Sequence, residues 1–309
     1  MYICGIDGGG TKTKIVITDL DAKIIDSTVI GPSSIDTVPI KKSIDTICYG
    51  IKSLMTRNNL KGKIISVFVG LGGISSMKDI ERINTMLRKN EYISNIAVIN
   101  SANDVENAWY AGCSGRASIA LIVGTGSVAY GVDEDNNNWR AGGISFLEGD
   151  YGSSYDIALR SLKYLAKTID NRIETTPYME FLKQELNIKS LKDLVLFFEK
   201  YIPKRTQLAN FAKLVTEWAI KGDNIALRIV EEGTTELVNM IKAVDKTINL
   251  RNKEVSIIGS LGNFNSPYKT MLFKKINEYN QNFIIHENDM CPSIGAVKLA
   301  QYQFRKQTV

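Results

Sequence analysis

"MYICGIDGGGTKTKIVITDLDAK", residues 1–23, decides how the rest of the chain is read. Two apolar, β-rich stretches, 2–6 and 14–20, flank Asp7, three glycines, Thr11, Lys12 and Thr13. Short apolar runs bounded by glycine read as strands, so the polar insert is the turn between them. Three nucleotide-loop patterns separate by spacing. A Walker A loop places Lys directly after its last glycine and then opens a helix; here Thr11 stands between Gly10 and Lys12, and a strand follows. The dinucleotide fingerprint also opens a helix at its last glycine. What remains is a phosphate-holding β-hairpin. Its glycines, Gly9 and Gly10 foremost, let backbone N–H groups approach oxygen and adopt positive φ. Thr11 and Thr13 add hydroxyl donors and Lys12 adds charge. Asp7, at the strand end, is a hard oxygen ligand able to hold Mg²⁺ through water. A plain tight turn needs one or two glycines and none of the flanking acid or hydroxyls.

Outward from this hairpin the pattern predicts a third strand at 23–30, a "GPSS" loop at 31–34 and a helix over 40–57, where isoleucines and Leu54 recur at three- and four-residue steps. A buried strand at 63–73, a helix at 78–89 and a short strand at 96–100 follow. The order is β-β-β-α-β-α-β, and it then restarts. Residues 118–132 hold two strands around Gly124-Thr125-Gly126-Ser127, and 139–143 leads out of a third. Helical material fills most of 153–247; a strand and loop at 254–262, a helix at 266–279, a strand at 282–286 and a helix at 292–305 complete the repeat. The expectation is an α/β chain of two lobes, 1–117 and 118–309, each with a mixed five-stranded sheet, the second carrying a helical insert at 153–247. The last helix belongs to the second lobe by order, with a return to the first as the alternative. Two such lobes leave an inter-domain cleft between them. Gly124, Thr125 and Gly126 occupy the hairpin position of the second half and read as a second phosphate clamp. Gly259 and Ser260 would border adenine and ribose.

Composition narrows the class. A chain of 309 residues with 44% hydrophobic content suits about two domains. Net charge is +5 with basic residues scattered among acids, a solvated surface rather than a nucleic-acid footprint. The four cysteines form no C-x-x-C pair, which reads as reduced and cytosolic. No leader-like start and no apolar run of about 20 residues occurs, so a cytoplasmic protein without a membrane partner is expected. His286 is the single histidine and reads as structural.

D-G-G-G-T-K-T at 7–13, G-T-G-S at 124–127 and I-I-G-S at 257–260 resemble the actin/hexokinase/Hsp70 ATPase superfamily. Within it the chain resembles, over nearly its whole length, the BadF/BadG/BcrA/BcrD ATPase family, in particular its N-acetylglucosamine (N-acetylmuramic acid) kinase-like branch. The resemblance implies two RNase-H-like (actin-like ATPase) domains, ATP and Mg²⁺, and phosphorylation of the 6-hydroxyl of an N-acetylated amino sugar by a homodimer.

It also implies the acceptor side. In "VINSANDVENAWYAG" (98–112) a strand ends at Asn100, a short loop follows, and Asp104 starts a helix. This resembles the family's N-D-A segment, whose Asp is the general base; Asn103 or Asp104 also suits a helix cap. "RAGGISFLEGDYGSSYDIALRSL" (140–162) resembles the G-G-W-G-x-x-x-G-D-E-G-S segment of N-acetylhexosamine kinases, whose Asp binds sugar hydroxyls. Asp150 matches it, with Gly143, Asn103, Asp104 and Ser127 as companions. Ile144 and Ser145 stand where the family has Trp-Gly, Tyr151 where it has Glu, and Val128 where some members have Asn. Ser34, with Asp36 nearby, stands where members often carry a sugar-binding Asn. All these departures fall on the sugar side. A glucosamine or glucose kinase, and a non-sugar ATP-switched activator, are the alternatives.

Overall fold

The structure, a computed structural model, describes residues 1–145, 149–288 and 290–308. Strands β1 (Tyr2–Gly8), β2 (Thr13–Thr18) and β3 (Ile24–Ile30) form an antiparallel meander. Helix α1 (Ile40–Arg57) leads to β4 (Ile64–Leu71), α2 (Met77–Leu87) to β5 (Ile93–Asn103), and α3 (Asp104–Cys113) follows directly. The sheet order is β3-β2-β1-β4-β5, with β1, β4 and β5 parallel. The second half repeats it with β6 (Ser118–Val123), β7 (Ser127–Val132) and β8 (Asn138–Gly142). Six helices intervene: α4 (Ser154–Ile169), α5 (Pro177–Glu185), α6 (Leu191–Tyr201), α7 (Arg205–Ala209), α8 (Ala212–Ile220) and α9 (Asn224–Thr247). Then come β9 (Glu254–Ile258), α10 (Ser260–Asn263), α11 (Pro267–Tyr279), β10 (Ile284–Asn288) and α12 (Pro292–Thr308). The second sheet runs β10-β9-β6-β7-β8, the first order read from the opposite edge. The fold is the duplicated α/β architecture that the strand order predicts.

The chain forms two compact units. One holds the residues up to Arg116 together with those from Met290 onward; the other begins at Ala117. In the first unit both faces of the sheet are covered, so β4 reads "IISVFVGL" with every residue buried, as expected for a central parallel strand. Successive side chains of β1 alternate between those faces. Cys4 and Ile6 join the core beneath α1 and α2, whereas Ile3 packs with Ala296 and Ala300 of α12. A side chain at Gly5 would overlap the Val297 backbone, so this glycine lets α12 lie on the strand. Burial pushes the Cys4 thiol up to about 12, so it serves as a small apolar residue. Helix α12 is pinned by Gln303, which donates to Val67 O (2.8 Å) and Ser66 Oγ (3.1 Å) and accepts from Asn100 Nδ2 (2.6 Å). In the second unit, Leu121 and Val123 of β6 pack with Ile157 of α4 and Ile241 of α9 in one core.

Two local readings change. The strand expected to end at Asn100 runs on to Asn103, because Ser101, Ala102 and Asn103 stay in parallel register with Val69, Gly70 and Leu71; no loop separates it from α3. The loop expected after Ile258 is instead the short helix α10, entered through Gly259 at φ +108°. Among the described residues no helix is long and apolar enough to cross a membrane.

Candidate functional site

The first hairpin turn spans residues 9–12, closed by Gly9 N–H donating to Lys12 O at 3.0 Å. Gly10, Thr11 and Lys12 are exposed. None of Gly8, Gly9 and Gly10 is in the left-handed region, contrary to the positive φ expected of this turn. At Gly8 the constraint is space: a Cβ there would overlap Ser33 Oγ and Leu71 Cδ2. Thr13 is fully buried; its hydroxyl donates to Gly31 O (2.8 Å) and pairs with Ser33 Oγ (2.6 Å). It therefore braces the turn against the 31–34 loop, which also donates from Ser33 N and Ser34 N to Gly9 O. Exposed donors in this turn come from Thr11 and Lys12.

Asp7 is the last residue but one of β1, opposite Lys14 and Gly70. Its Oδ1 accepts from Asn107 Nδ2 at 3.0 Å, and the same amide donates to Ile6 O at 3.1 Å. Burial pushes the Asp7 carboxyl above its ordinary range, opposed by the Asn107 hydrogen bond and by Lys12 and Lys14. Asn107 reaches this position only because residue 70 is glycine, since a Cβ there would overlap its amide. Its Oδ1 is buried with no hydrogen-bond partner, a cost tolerated to hold Asp7. A carboxylate that burial disfavours and that keeps one oxygen outside the Asn107 bond suits a hydrated Mg²⁺, which takes one or two carboxylates and fills its remaining positions with water and phosphate.

Asp104 is the first residue of α3, at the C-terminal end of parallel β5. Asn103 caps the helix, its Oδ1 accepting from Val105 N at 3.3 Å while its Nδ2 donates to Ile74 O at 3.0 Å. A Cβ placed on Gly72, just past β4, would lie 2.8 Å from Ser34 Oγ and 3.5 Å from Asp104 Oδ2. Ser34 and Asp104 therefore both lie close to Gly72, with Ser34 packed where a side chain would stand. Asp36 lies next to it against Gly73, where a Cβ would be 2.6 Å from Asp36 Oδ1. Glu106, two residues beyond Asp104, is pushed up to about 7 by burial.

In the second unit the loops converge on the end of β6. Gly124 N–H donates to Gly126 O at 2.9 Å, closing the turn between β6 and β7, and nothing lies within 4 Å of a Cβ on Gly124. Ser154 N and Tyr155 N, opening α4, donate to Gly124 O (2.9 Å) and Thr125 O (3.3 Å). Gly259 packs on the same strand end, where a Cβ would stand 2.5 Å from Val123 O; Ser260 beside it is exposed. Gly143 lies against Val128, and Ser127 Oγ donates to Tyr151 O at 2.6 Å. Asp150 is 5% exposed. Its Oδ1 accepts from Ser127 N at 3.2 Å and its Oδ2 from Arg205 Nη2 at 2.5 Å. Burial raises the Asp150 carboxyl pKa, while Arg205 and Ser127 lower it. Residues 146–148 of the quoted acceptor segment lie outside the described residues; Ile144 and Tyr151 are exposed.

The loop after Asp150 is held from below. Gly152, at φ +75°, donates to Asp156 Oδ2 at 2.8 Å, and its carbonyl accepts from the buried Tyr268 hydroxyl. Arg160 bonds Asp156 (2.8 Å) and Glu232 (2.9 Å), tying α4 to α9. A groove of 1030 Å³ on α9 and α11, lined by Thr235, Lys242 and Met271 among others, includes none of these loops.

The sequence reading missed Asn107, Asp156 and Arg205. Asn107 left a signal, a polar residue on the apolar face formed by Val105, Ala108 and Ala111. Arg205 left none, being 55 residues from Asp150.

Compared with known proteins, the chain matches the BadF/BadG/BcrA/BcrD ATPase family over residues 4–300. It is 30% identical over 306 residues to the N-acetylmuramic acid/N-acetylglucosamine kinase of Clostridium acetobutylicum, spanning 97% of this chain and 98% of that protein. It is 28% identical over 311 residues to the N-acetyl-D-glucosamine kinase of Dictyostelium discoideum, spanning 96% of each. A Chromobacterium violaceum crystal structure, assigned as an N-acetylglucosamine kinase, superposes with a TM-score of 0.75 at 20% identity, covering 97% of this chain and 98% of that one. At that identity the likeness speaks for the fold.

Proposed function

Because the chain belongs to the BadF/BadG/BcrA/BcrD ATPase family, we propose that it is an ATP-dependent kinase of N-acetylated amino sugars. In this reading it phosphorylates the 6-hydroxyl of N-acetylglucosamine, and of N-acetylmuramic acid, with Asp104 as general base. The observation that carries the reading is the placement of Asp104. It stands in the first turn of α3, at a parallel-strand end, close to Ser34 and the bare backbone of Gly72. A carboxylate there orients an acceptor hydroxyl and takes its proton as the phosphoryl group moves.

The backbone N–H of Gly10, with Thr11 and Lys12, is assigned to phosphate, while the Gly9 N–H is spent on closing the turn. Thr125 and Gly126 take that role in the turn after β6, which the Gly124 N–H closes, with Gly259 and Ser260 toward the nucleoside. Thr13 supports its turn from within. Asp7 would hold Mg²⁺, which supplies charge neutralisation at phosphate oxygens; Asn107 fixes the carboxylate for that task. Ser34, Asp36, Asn103, Ser127, Gly143 and Asp150 are assigned to the sugar. The Asp150 side chain is 4% exposed and bonded on both oxygens, to Ser127 and to Arg205, so in this reading it serves the sugar by holding Arg205 in place.

The test is ADP release with Mg²⁺-ATP against N-acetylglucosamine, N-acetylmuramic acid, N-acetylmannosamine, glucosamine, glucose and no sugar. Stimulation by an N-acetylated sugar is expected, reduced about 10²- to 10⁴-fold in Asp104→Asn. Preference for glucosamine or glucose would move the substrate class. Sugar-independent turnover in protein that binds ATP would replace the kinase with an ATP-driven switch.

A further inference from the structure

We infer that Arg205 selects the acceptor: its guanidinium, held by Asp150, receives a carboxylate carried on the amino sugar, such as the lactyl ether of N-acetylmuramic acid. The inference rests on the kinase reading and names the acceptor class of the same site.

Three observations carry it. Arg205 opens α7 within the helical insert, and its Nη2 lies 2.5 Å from Asp150 Oδ2. It lies so close to Gly126 that a Cβ on that residue would overlap the guanidinium, with Asp150 Oδ1 only 2.6 Å away. The glycine that reads as part of a phosphate loop thus also makes room for a cation from the insert. Second, the Asp150 side chain is 4% exposed and the Arg205 side chain 41%. Of the pair, Arg205 is therefore the accessible member, although its Nε is buried. Third, Asp150 is fixed on both oxygens, by Ser127 N–H and by Arg205, and the following loop is braced by Asp156 and Tyr268. A guanidinium anchored in this way is oriented before the ligand arrives.

The chemistry then chooses an anion. Arg presents five N–H donors in a planar fork that matches a carboxylate bidentately, which a Lys ammonium does not reproduce. Charge-assisted bonds of this kind are stronger than neutral ones. An uncharged N-acetylglucosamine leaves the Arg205–Asp150 pair as it stands, whereas a carboxylated sugar gains the fork. One pocket can therefore accept both sugars while favouring the acidic one. A phosphate of the nucleotide is the competing anion, because Gly126 is adjacent.

The experiment measures kcat/KM for N-acetylmuramic acid and N-acetylglucosamine, and KM for ATP, in the wild type, Arg205→Lys and Arg205→Gln. The wild type is also assayed on the methyl ester of N-acetylmuramic acid, which removes the charge without altering the protein. The expected result is a fall of about 10- to 100-fold in the N-acetylmuramic acid to N-acetylglucosamine ratio in either variant. The ester should show a similar loss in the wild type. If both sugars decline together and KM for ATP rises, Arg205 serves phosphate and the inference is overturned. An unchanged ratio, or equal use of acid and ester, overturns it as well. Should the variants not fold, the ester comparison decides alone. Wild-type activity on N-acetylglucosamine but none on N-acetylmuramic acid refutes this inference and leaves the kinase reading intact. No turnover on any sugar refutes the kinase reading itself, and this inference with it.

Discussion

Glu106→Gln separates burial from charge at the start of α3. Glu106 occupies the third position of the helix, where the exposed N–H groups of the first turn favour an anion. Burial nevertheless pushes its carboxyl from an ordinary 4.5 up to about 7, so desolvation outweighs the helix dipole here. Between those two values the folded protein keeps a proton that the unfolded chain has released. Stability from this group is therefore present in full below the ordinary value and is lost as pH rises through about 7. At 1.36 kcal/mol per pH unit, the loss reaches about 3 kcal/mol by pH 8, against under about 1 kcal/mol at pH 5. Glutamine has a similar shape and never ionises. The variant should match the wild type near pH 4.5 and exceed it by about 3 kcal/mol at pH 8. The assay is the denaturant midpoint of both proteins at half-unit steps from pH 5 to pH 8. Parallel curves, or a variant less stable than the wild type at pH 8, would refute the claim that Glu106 is buried at net cost.

Asn107→Ala removes the amide donor from Ile6 O and Asp7 Oδ1. We expect a stability loss of about 1–3 kcal/mol, seen by denaturation, and a further rise in the Asp7 pKa, read as an acidic limb of the pH–rate profile moved to higher pH. An unmoved limb would mean that Asp7 does not titrate in turnover. Gly152→Ala places a side chain at φ +75° against Gly233 O and 2.7 Å from Leu237 Cγ. It should lower stability by at least about 1–3 kcal/mol, measured by thermal unfolding. Gly222→Ala, at φ +82° with nothing within 4 Å, is the control and should cost less.

The sequence carried the fold through two features. The strand order repeats, and glycine loops stand at matching places in each repeat, so both five-stranded sheets could be read from 1–143 and 254–286. Apolar periodicity reports which face of an element is buried, and it placed α1 at its observed bounds, Ile40–Arg57. It does not report what lies on that face. The sequence order put α12 after the second sheet, while tertiary packing returned it to β1 and β4 through Gly5, Ser66 and Gln303.

The candidate site divides in the same way. Asp7 and the glycine loops were legible as acid, glycine and hydroxyl at strand ends, and Asp104 and Asp150 through the family segments that their surroundings resemble. Their supporting partners were not. Nothing local tells that Gly70 is empty to admit Asn107, that Thr13 turns inward to Ser33, or that Gly126 yields its side-chain space to Arg205. The sequence by itself determined which elements form and which residue types stand at their ends, because backbone propensity and burial period act over a few residues. Only the tertiary structure decided what faces each carboxylate. Hydrogen bonding and desolvation depend on distances of a few ångströms, and the fold sets these between residues as far apart in sequence as Asp7 and Asn107 or Asp150 and Arg205.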